Sequence, residues 1–422
     1  MQPATVEIAA GKISSVSFDK EVNSIDFGDD IIMPGVIDVH VHINEPGRTE
    51  WEGFETATRA AAAGGTTTVV DMPLNSSPVT TSVAALLEKR NASTGKLNVN
   101  CGFYGGLIPG NTHELEGMIK EGVLGIKCFL THSGIDEFPN VTEKDLDEAM
   151  PIIAKYNVPL LAHCELESEC KQELNKYPDQ YAQFLASRPK KWENDAIEMM
   201  IRLCKKHNCR VHIVHVSSSE ALELIANAKK EGLPLTAETC AQYLYFNAEA
   251  LANGKTIYKC APPIREKANN EQLKAALKSG VLDFITTDHS PAPPSIKEIE
   301  TGNLQKAWGG IAGIQFLLSA SWTALKDKMS IEEFIPLVTE HPAKFISIEN
   351  RKGKIEKGFD ADLLIWSPEK NAIIKQADIL FKHKISPYIG ESLYGVISRT
   401  YVNGNSVFSE NSIRDKNSGE LI

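Results

Sequence analysis

Short apolar runs and stretches of helical periodicity alternate along most of this chain. Runs rich in Val, Ile, Leu, Thr and Phe at 36–41, 67–72, 98–103, 125–129, 159–163, 210–215, 234–239 and 283–287 predict eight strands. Between them, apolar residues recur at three- and four-residue spacing over 54–63, 83–91, 114–120, 145–156, 194–206, 219–230 and 271–278, which predicts helices. Thr142 and Asp145 introduce one of these helices at capping-box spacing, and Pro151 is expected to kink it. Strand followed by helix-forming sequence, repeated in this way, predicts a (β/α)8 TIM barrel over 34–349 rather than an open sheet. No glycine-rich turn of the dinucleotide-binding kind follows the first strand.

The texture differs at the two ends. Short strand-like pieces fall at 5–8, 13–18 and 30–33, and again at 353–355, 361–366, 372–374 and 396–402. Segments 1–33 and 350–422 are therefore expected to pair into one small β-sandwich beside the barrel. The polar tail from Glu410 is expected to fray.

Composition narrows the class. With 422 residues, 42% hydrophobic and 23% charged, the chain has an ordinary globular balance and enough length for a large core. A net charge of −11 argues against nucleic acid or an anionic membrane as partner. No apolar run reaches the length of a membrane span, and no signal segment opens the chain. The eight cysteines show no Cys-x-x-Cys spacing and read as reduced core residues, so a cytoplasmic location is expected.

Barrel enzymes carry their chemistry at the C-terminal ends of the strands. Those ends hold His40 and His42, then Lys127, His163, His215 and Asp288. His40 and His42 alternate on one strand, so their side chains leave the same face about 6.6 Å apart and can share a metal ion. A lone His-x-His could equally be two incidental strand histidines; four histidines and an aspartate distributed over separate strand ends are a ligand set. Lys127 lies in an apolar strand, where a buried ammonium needs a partner or must reach solvent. Asp288 is the candidate proton-transfer group, with the neighbouring His289 as the alternative.

These residues carry a resemblance to the cyclic amidohydrolases, the family of dihydroorotases, dihydropyrimidinases or hydantoinases, and allantoinases. The resembling motifs are Asp38-Val39-His40-Val41-His42, Gly125-Ile126-Lys127, His163, His215-Val216-Ser217-Ser218 and Asp288-His289-Ser290. Gly358-Phe359-Asp360-Ala361-Asp362-Leu363 and His383-Lys384-Ile385-Ser386-Pro387-Tyr388 extend the likeness over nearly the whole chain. The resemblance implies two zinc ions bound by His40, His42, His163, His215 and Asp288, bridged by Lys127 carboxylated on Nζ. It also implies hydrolysis of a cyclic amide and a homotetrameric assembly.

Within the family, Asn44 to Gly53, Met72-Pro73-Leu74-Asn75, Ser187-Arg188-Pro189 with Trp192-Glu193, and Lys306-Ala307-Trp308-Gly309-Gly310 resemble the allantoinase branch. The likeness implies allantoin as substrate. Dihydroorotases place an arginine at the position of Asn44 to hold a carboxylate, and Asn44 suits a neutral ureido-hydantoin. Dihydropyrimidinases have a tyrosine near the place of His132. Asn44 and Asn75 are the expected substrate-binding residues. The Gly309-Gly310 stretch lacks the lysine of a phosphate loop and is expected to shape a loop over the site. Asp38 and backbone carbonyls are the expected partners that fix the histidine tautomers. Two departures stand out: the chain opens without the additional first strand of its relatives, so its true start is expected upstream or an edge strand is missing, and Ala241-Gln242 replaces Pro-His, which is expected to tune the pocket.

Overall fold

The computed structural model describes residues 2–19, 21, 23–168, 177–414 and 417–422. Cys170 lies outside them; the other seven cysteines are buried and unpaired. The strands are β1 (Thr5–Ala9), β2 (Lys12–Ser17), β3 (Ile31–Pro34), β4 (Val36–Val41), β5 (Thr66–Asp71), β6 (Asn100–Phe103), β7 (Gly105–Gly106) and β8 (Ile126–Phe129). They continue with β9 (Leu160–His163), β10 (Val211–Ile213), β11 (Leu235–Cys240), β12 (Phe284–Thr286), β13 (Leu363–Ile373), β14 (Ser392–Val402), β15 (Asn405–Ser409) and β16 (Ser412–Ile413).

Two parallel sheets, β4-β5-β6 and β12-β11-β10-β9-β8-β7, form a (β/α)8 barrel. The chain passes from one to the other between β6 and β7, and closure comes where Val41 bridges His289 in parallel fashion. All eight strands expected from the apolar runs are present, β6 and β7 together making the third. The helices Phe54–Ala63, Thr112–Lys120, Glu143–Lys155, Lys190–His207 and Lys267–Lys278 lie where the periodicity put them. Thr142 and Asp145 cap the third of these reciprocally, and the helix runs on through Pro151.

Alternate residues of one strand belong to different clusters, which shows how the barrel is filled. Leu160 and Ala162 of β9 join a core that includes Met200 and Leu203 of the helix Lys190–His207. Leu161 instead joins Ile37, Val70, Phe284 and Phe345. Period two therefore sends one set outward to the helices and the other into the barrel. Ile126 and Cys128 of β8 are in the outer set, as is Ala237 of β11. By the same alternation Lys127, His163 and Glu238 face inward.

The chain ends build a second layer: a five-stranded sheet in the order β16-β15-β14-β13-β3, and the hairpin β1-β2. Ile13 of the hairpin packs with Ala361 and Leu363. The sheet passes directly into the barrel, because only Gly35 separates β3 from β4. A Cβ there would lie 2.1 Å from Thr67 Oγ1, so glycine is required for the close approach.

Three local expectations fail. Residues 361–366 and 372–374 are one strand, β13, interrupted by an irregularity where its register against β14 shifts between Ser367 and Asn371. Residues 353–355 form no strand; the backbone there packs instead on the helix start at Glu340, where a Cβ on Gly353 would lie 3.0 Å from Glu340 Cα and Thr339 O. The described parts of the tail are held: Ser412–Ile413 pairs with β15, and Cys101 of β6 exchanges bonds with Glu420 O (2.9 Å) and Ile422 N (3.1 Å), while 415–416 lie outside the described residues. β6 has an open edge below the crossing to β7, and the tail supplies the missing backbone partners. No helix among the described residues is long and apolar enough to cross a membrane.

Candidate active site

The inward parity of β8 and β9, the end of β4 beyond its register irregularity between Asp38 and Val41, and the turns after β10 and β12 converge on one cavity of about 520 Å³. His40, His42, Lys127, His163, His215 and Asp288 all line it. His215 and Asp288 each sit two residues past a strand with positive φ, 40° and 46°, a conformation that costs energy in residues other than glycine. The strain is held at the two positions where the strand has ended and the side chain enters the cavity.

Asp288 Oδ1 lies 3.3 Å from Nε2 of both His40 and His42. Ligand atoms of His40, His215 and Asp288 lie within 4.8 Å of one another. The His163 and His215 rings are 4.6 Å apart, and His163 stacks on Phe129. Lys127 Nζ is buried, has no hydrogen-bond partner, and stands 4.9 Å from the Phe129 ring centre. Burial lowers its pKa to about 8. His215 Nδ1 is likewise buried without a partner. Burial also pushes His42, His163 and His215 below the usual histidine range. Burial opposes ionisation of Asp288, yet His40 and His42 hold it below the usual carboxylate range. Neutral imidazoles, an ionised carboxylate and an orphaned amine form a donor set that fits divalent cations.

The orienting carboxylates were not evident from the sequence. His40 Nδ1 bonds Glu238 Oε1, and Glu238 Oε2 also meets His212 Nε2 at 3.2 Å. Burial works against Glu238, but His40 and His212 hold it ionised. Asp38, the expected partner, does not reach a histidine ring; it accepts from His40 N (3.2 Å), Thr287 N (3.3 Å) and the Thr287 hydroxyl. Burial raises Asp38 to about 7. Glu165 Oε2 meets His163 Nε2 at 2.9 Å and is gripped by Arg188 through Nε (3.0 Å) and Nη2 (2.6 Å). The one signal in the sequence was a carboxylate at an inward position of a buried strand, Glu238, and another two residues past His163. Glu238→Gln keeps the volume but loses the charged acceptor. It is expected to weaken metal binding about 10- to 100-fold in a chelator competition. Unchanged affinity would show that the backbone alone orients His40.

Asn75 lines the cavity, with Nδ2 3.4 Å from His42 Nδ1 and its Oδ1 buried without a partner. Asn44 is turned aside: its Nδ2 lies 3.4 Å from Pro291 O, and its side chain does not line the cavity. Both have positive φ, 66° and 68°, which asparagine tolerates well. His289 is not placed to transfer protons. Its ring is fully buried, with Nδ1 accepting from Gly313 N (3.1 Å) and Ile314 N (3.3 Å). Gly309 and Gly310 line the cavity as a loop, and His132 lines it where dihydropyrimidinases have tyrosine. Ala241 and Gln242 are buried in the helix Ala241–Tyr245, away from the cavity lining.

A model of the amidohydrolase family matches residues 31–407. An allantoinase of Streptomyces avermitilis is 42% identical over 415 residues, covering 97% of this chain and 92% of its own. One of Arabidopsis thaliana is 41% identical over 96% of this chain and 85% of its own, and one of Saccharomyces cerevisiae 38% identical over 90% and 83%. Among solved structures, an L-hydantoinase (dihydropyrimidinase) from Arthrobacter aurescens superposes with a TM-score of 0.92 at 31% identity, covering 99% of this chain and 95% of that one. With a metal-competent ligand set on the strand ends of such a barrel, this chain belongs to the amidohydrolase family and is one of its metal-dependent cyclic amidohydrolases.

Proposed function

We propose that this enzyme hydrolyses a ring amide of allantoin to give allantoate. The observation that carries the substrate is the near-full-length similarity to allantoinases of bacteria, plants and yeast. The observation that supports the chemistry is the cavity floor, where four histidines, Asp288 and an orphaned Lys127 amine converge. In this reading His40, His42, His163, His215 and Asp288 would hold two zinc ions, with Lys127, carboxylated on Nζ, as the remaining ligand. The amine that burial has brought to about 8 is the form that can add carbon dioxide. Its lone pair makes the N–C bond, a proton leaves, and the product is an anion suited to two cations.

When bound, the cations polarise the scissile carbonyl and acidify water. Asp288 accepts the proton of the attacking water and returns it to the ring nitrogen as the amide bond breaks. Glu238 and Glu165 keep the His40 and His163 rings turned toward the site. Asn75, with an unused acceptor facing the cavity, binds the substrate. Asn44 places no cation at its own position, where a carboxylated ring would need one. Of the cations that line the cavity, Arg188 is paired with Glu165 and Arg48 with Glu137 at 2.8 Å, while Lys259 and Lys306 belong to the wall at the 305–310 loop. The reading extends to a cytoplasmic homotetramer acting in purine-derived ureide breakdown.

The test is a side-by-side assay of allantoin, dihydroorotate, hydantoin and dihydrouracil on zinc-loaded protein. The kcat/KM for allantoin should exceed that for dihydroorotate at least about a thousandfold, since a site with the wrong polar partners discriminates that strongly. Preference for dihydrouracil would make this a dihydropyrimidinase, and no turnover of any compound would end the catalytic reading.

A further inference from the structure

The loop at 305–310 forms one wall of the cavity through Lys306, Ala307, Trp308, Gly309 and Gly310. The Trp308 ring meets Trp51 edge-on at 4.8 Å. Arg48 lies over Trp51 at 5.7 Å and donates to Asn75 O (3.2 Å), so this wall joins the loops after β4 and β5.

Two lysines from outside the loop hold it. Lys259 Nζ donates to Ala307 O (2.6 Å) and Gln305 O (3.2 Å). Lys297 Nζ donates to Gly310 O (2.7 Å) and Trp308 O (3.0 Å). The backbone repeats both grips: Gly310 N donates to Lys259 O, and Trp308 N to Ile296 O, each at 2.8 Å. Four carbonyls of six residues thus converge on two ammonium groups.

Among the described residues no carboxylate pairs with either lysine; the charged neighbour of Lys259 is Arg188, and Lys297 faces Lys259 and the Cys260 thiol. Lys297 is only 5% exposed, and burial lowers it to about 7; Lys259, half-buried, falls to about 8. Burying two like charges without counter-ions is costly, and a methionine at either position would pack at lower cost. What the ammonium groups supply, and methionine cannot, is several donors aimed at main-chain oxygens of one loop.

We infer that Lys259 and Lys297 are positioning residues that clamp the 305–310 loop in the shape that sets the Trp308 ring in the cavity wall, and that this wall reads the substituent on the substrate ring. The second part rests on the proposed allantoin hydrolysis; the first does not.

The experiment therefore has two readouts on metal-loaded protein. In hydrogen exchange, Lys297→Met should speed the amides of 306–310 at least about tenfold while those of β10 stay unchanged. In steady-state assays, it should raise KM for allantoin at least about twentyfold and alter kcat/KM for unsubstituted hydantoin by less than about threefold. Lys259→Met should act in the same direction, and Lys259→Arg should restore part of the effect. Lys259→Met also serves if Lys297→Met does not fold. Unchanged exchange in the folded variants overturns the clamp, whatever the substrate proves to be. Faster exchange with an unchanged allantoin-to-hydantoin ratio overturns the specificity role of the Trp308 wall. A lower melting temperature with neither change would mark the lysines as merely structural and overturn both.

Discussion

Lys127→Ala is expected to lose most of its bound metal, from about two ions per chain to well below one, and to keep less than about 1% of the wild-type turnover. The side chain faces inward from β8, and its amine meets no protein acceptor. A lysine in that position contributes nothing to the fold by hydrogen bonding and costs the desolvation of its charged form. The apolar near-isostere separates site from scaffold. Metal-free Lys127→Met should melt at the same temperature as metal-free wild type or higher, since an orphaned polar group is replaced by a packing one. Metal analysis, turnover and melting curves on the same preparations check the three statements. Full metal content with normal turnover in Lys127→Ala would end the carbamate reading.

Asp288→Asn is expected to lower kcat at least about a hundredfold at saturating metal. The amide keeps the shape and can still lie near His40 and His42, but it cannot accept the proton from water. The group works because its environment is balanced. Burial would protonate it, and the two imidazoles 3.3 Å away keep it ionised. Loss of KM alone, with kcat near normal, would place the base elsewhere. His289 is then a poor substitute, because its Nδ1 is already occupied by two backbone N–H groups.

Much of this architecture was legible in the chain. The eight barrel strands are apolar runs bounded by turn residues, and such patterns are set by neighbours a few positions apart. Two ligand positions were legible for the same reason: a strand of known parity fixes which residues face inward, and Lys127 and His163 follow from it, whereas His40 reaches the cavity only because β4 is irregular between Asp38 and Val41, past the inward-facing Ile37 and Val39. Where reading failed, the failures share a cause. The 353–355 segment has strand-like composition, yet the structure places it against Glu340 and gives it no strand partner. The polar tail was expected to fray because nothing local showed the open edge of β6 that receives it.

The sequence by itself determined the barrel, the inward parity of β8, β9 and β11 and the set of groups that can bind metal, since these depend on period-two alternation and on side-chain chemistry. Tertiary structure decided how those groups are oriented. Glu238 rather than Asp38 holds His40 across 198 residues of chain, Arg188 reaches back 23 residues to grip Glu165, and Asn44 turns to Pro291. Such pairings depend on the register between strands that meet only when the barrel closes, and on which buried charge is left in need of a partner. Neither is written in the residues adjacent to the ones that pair.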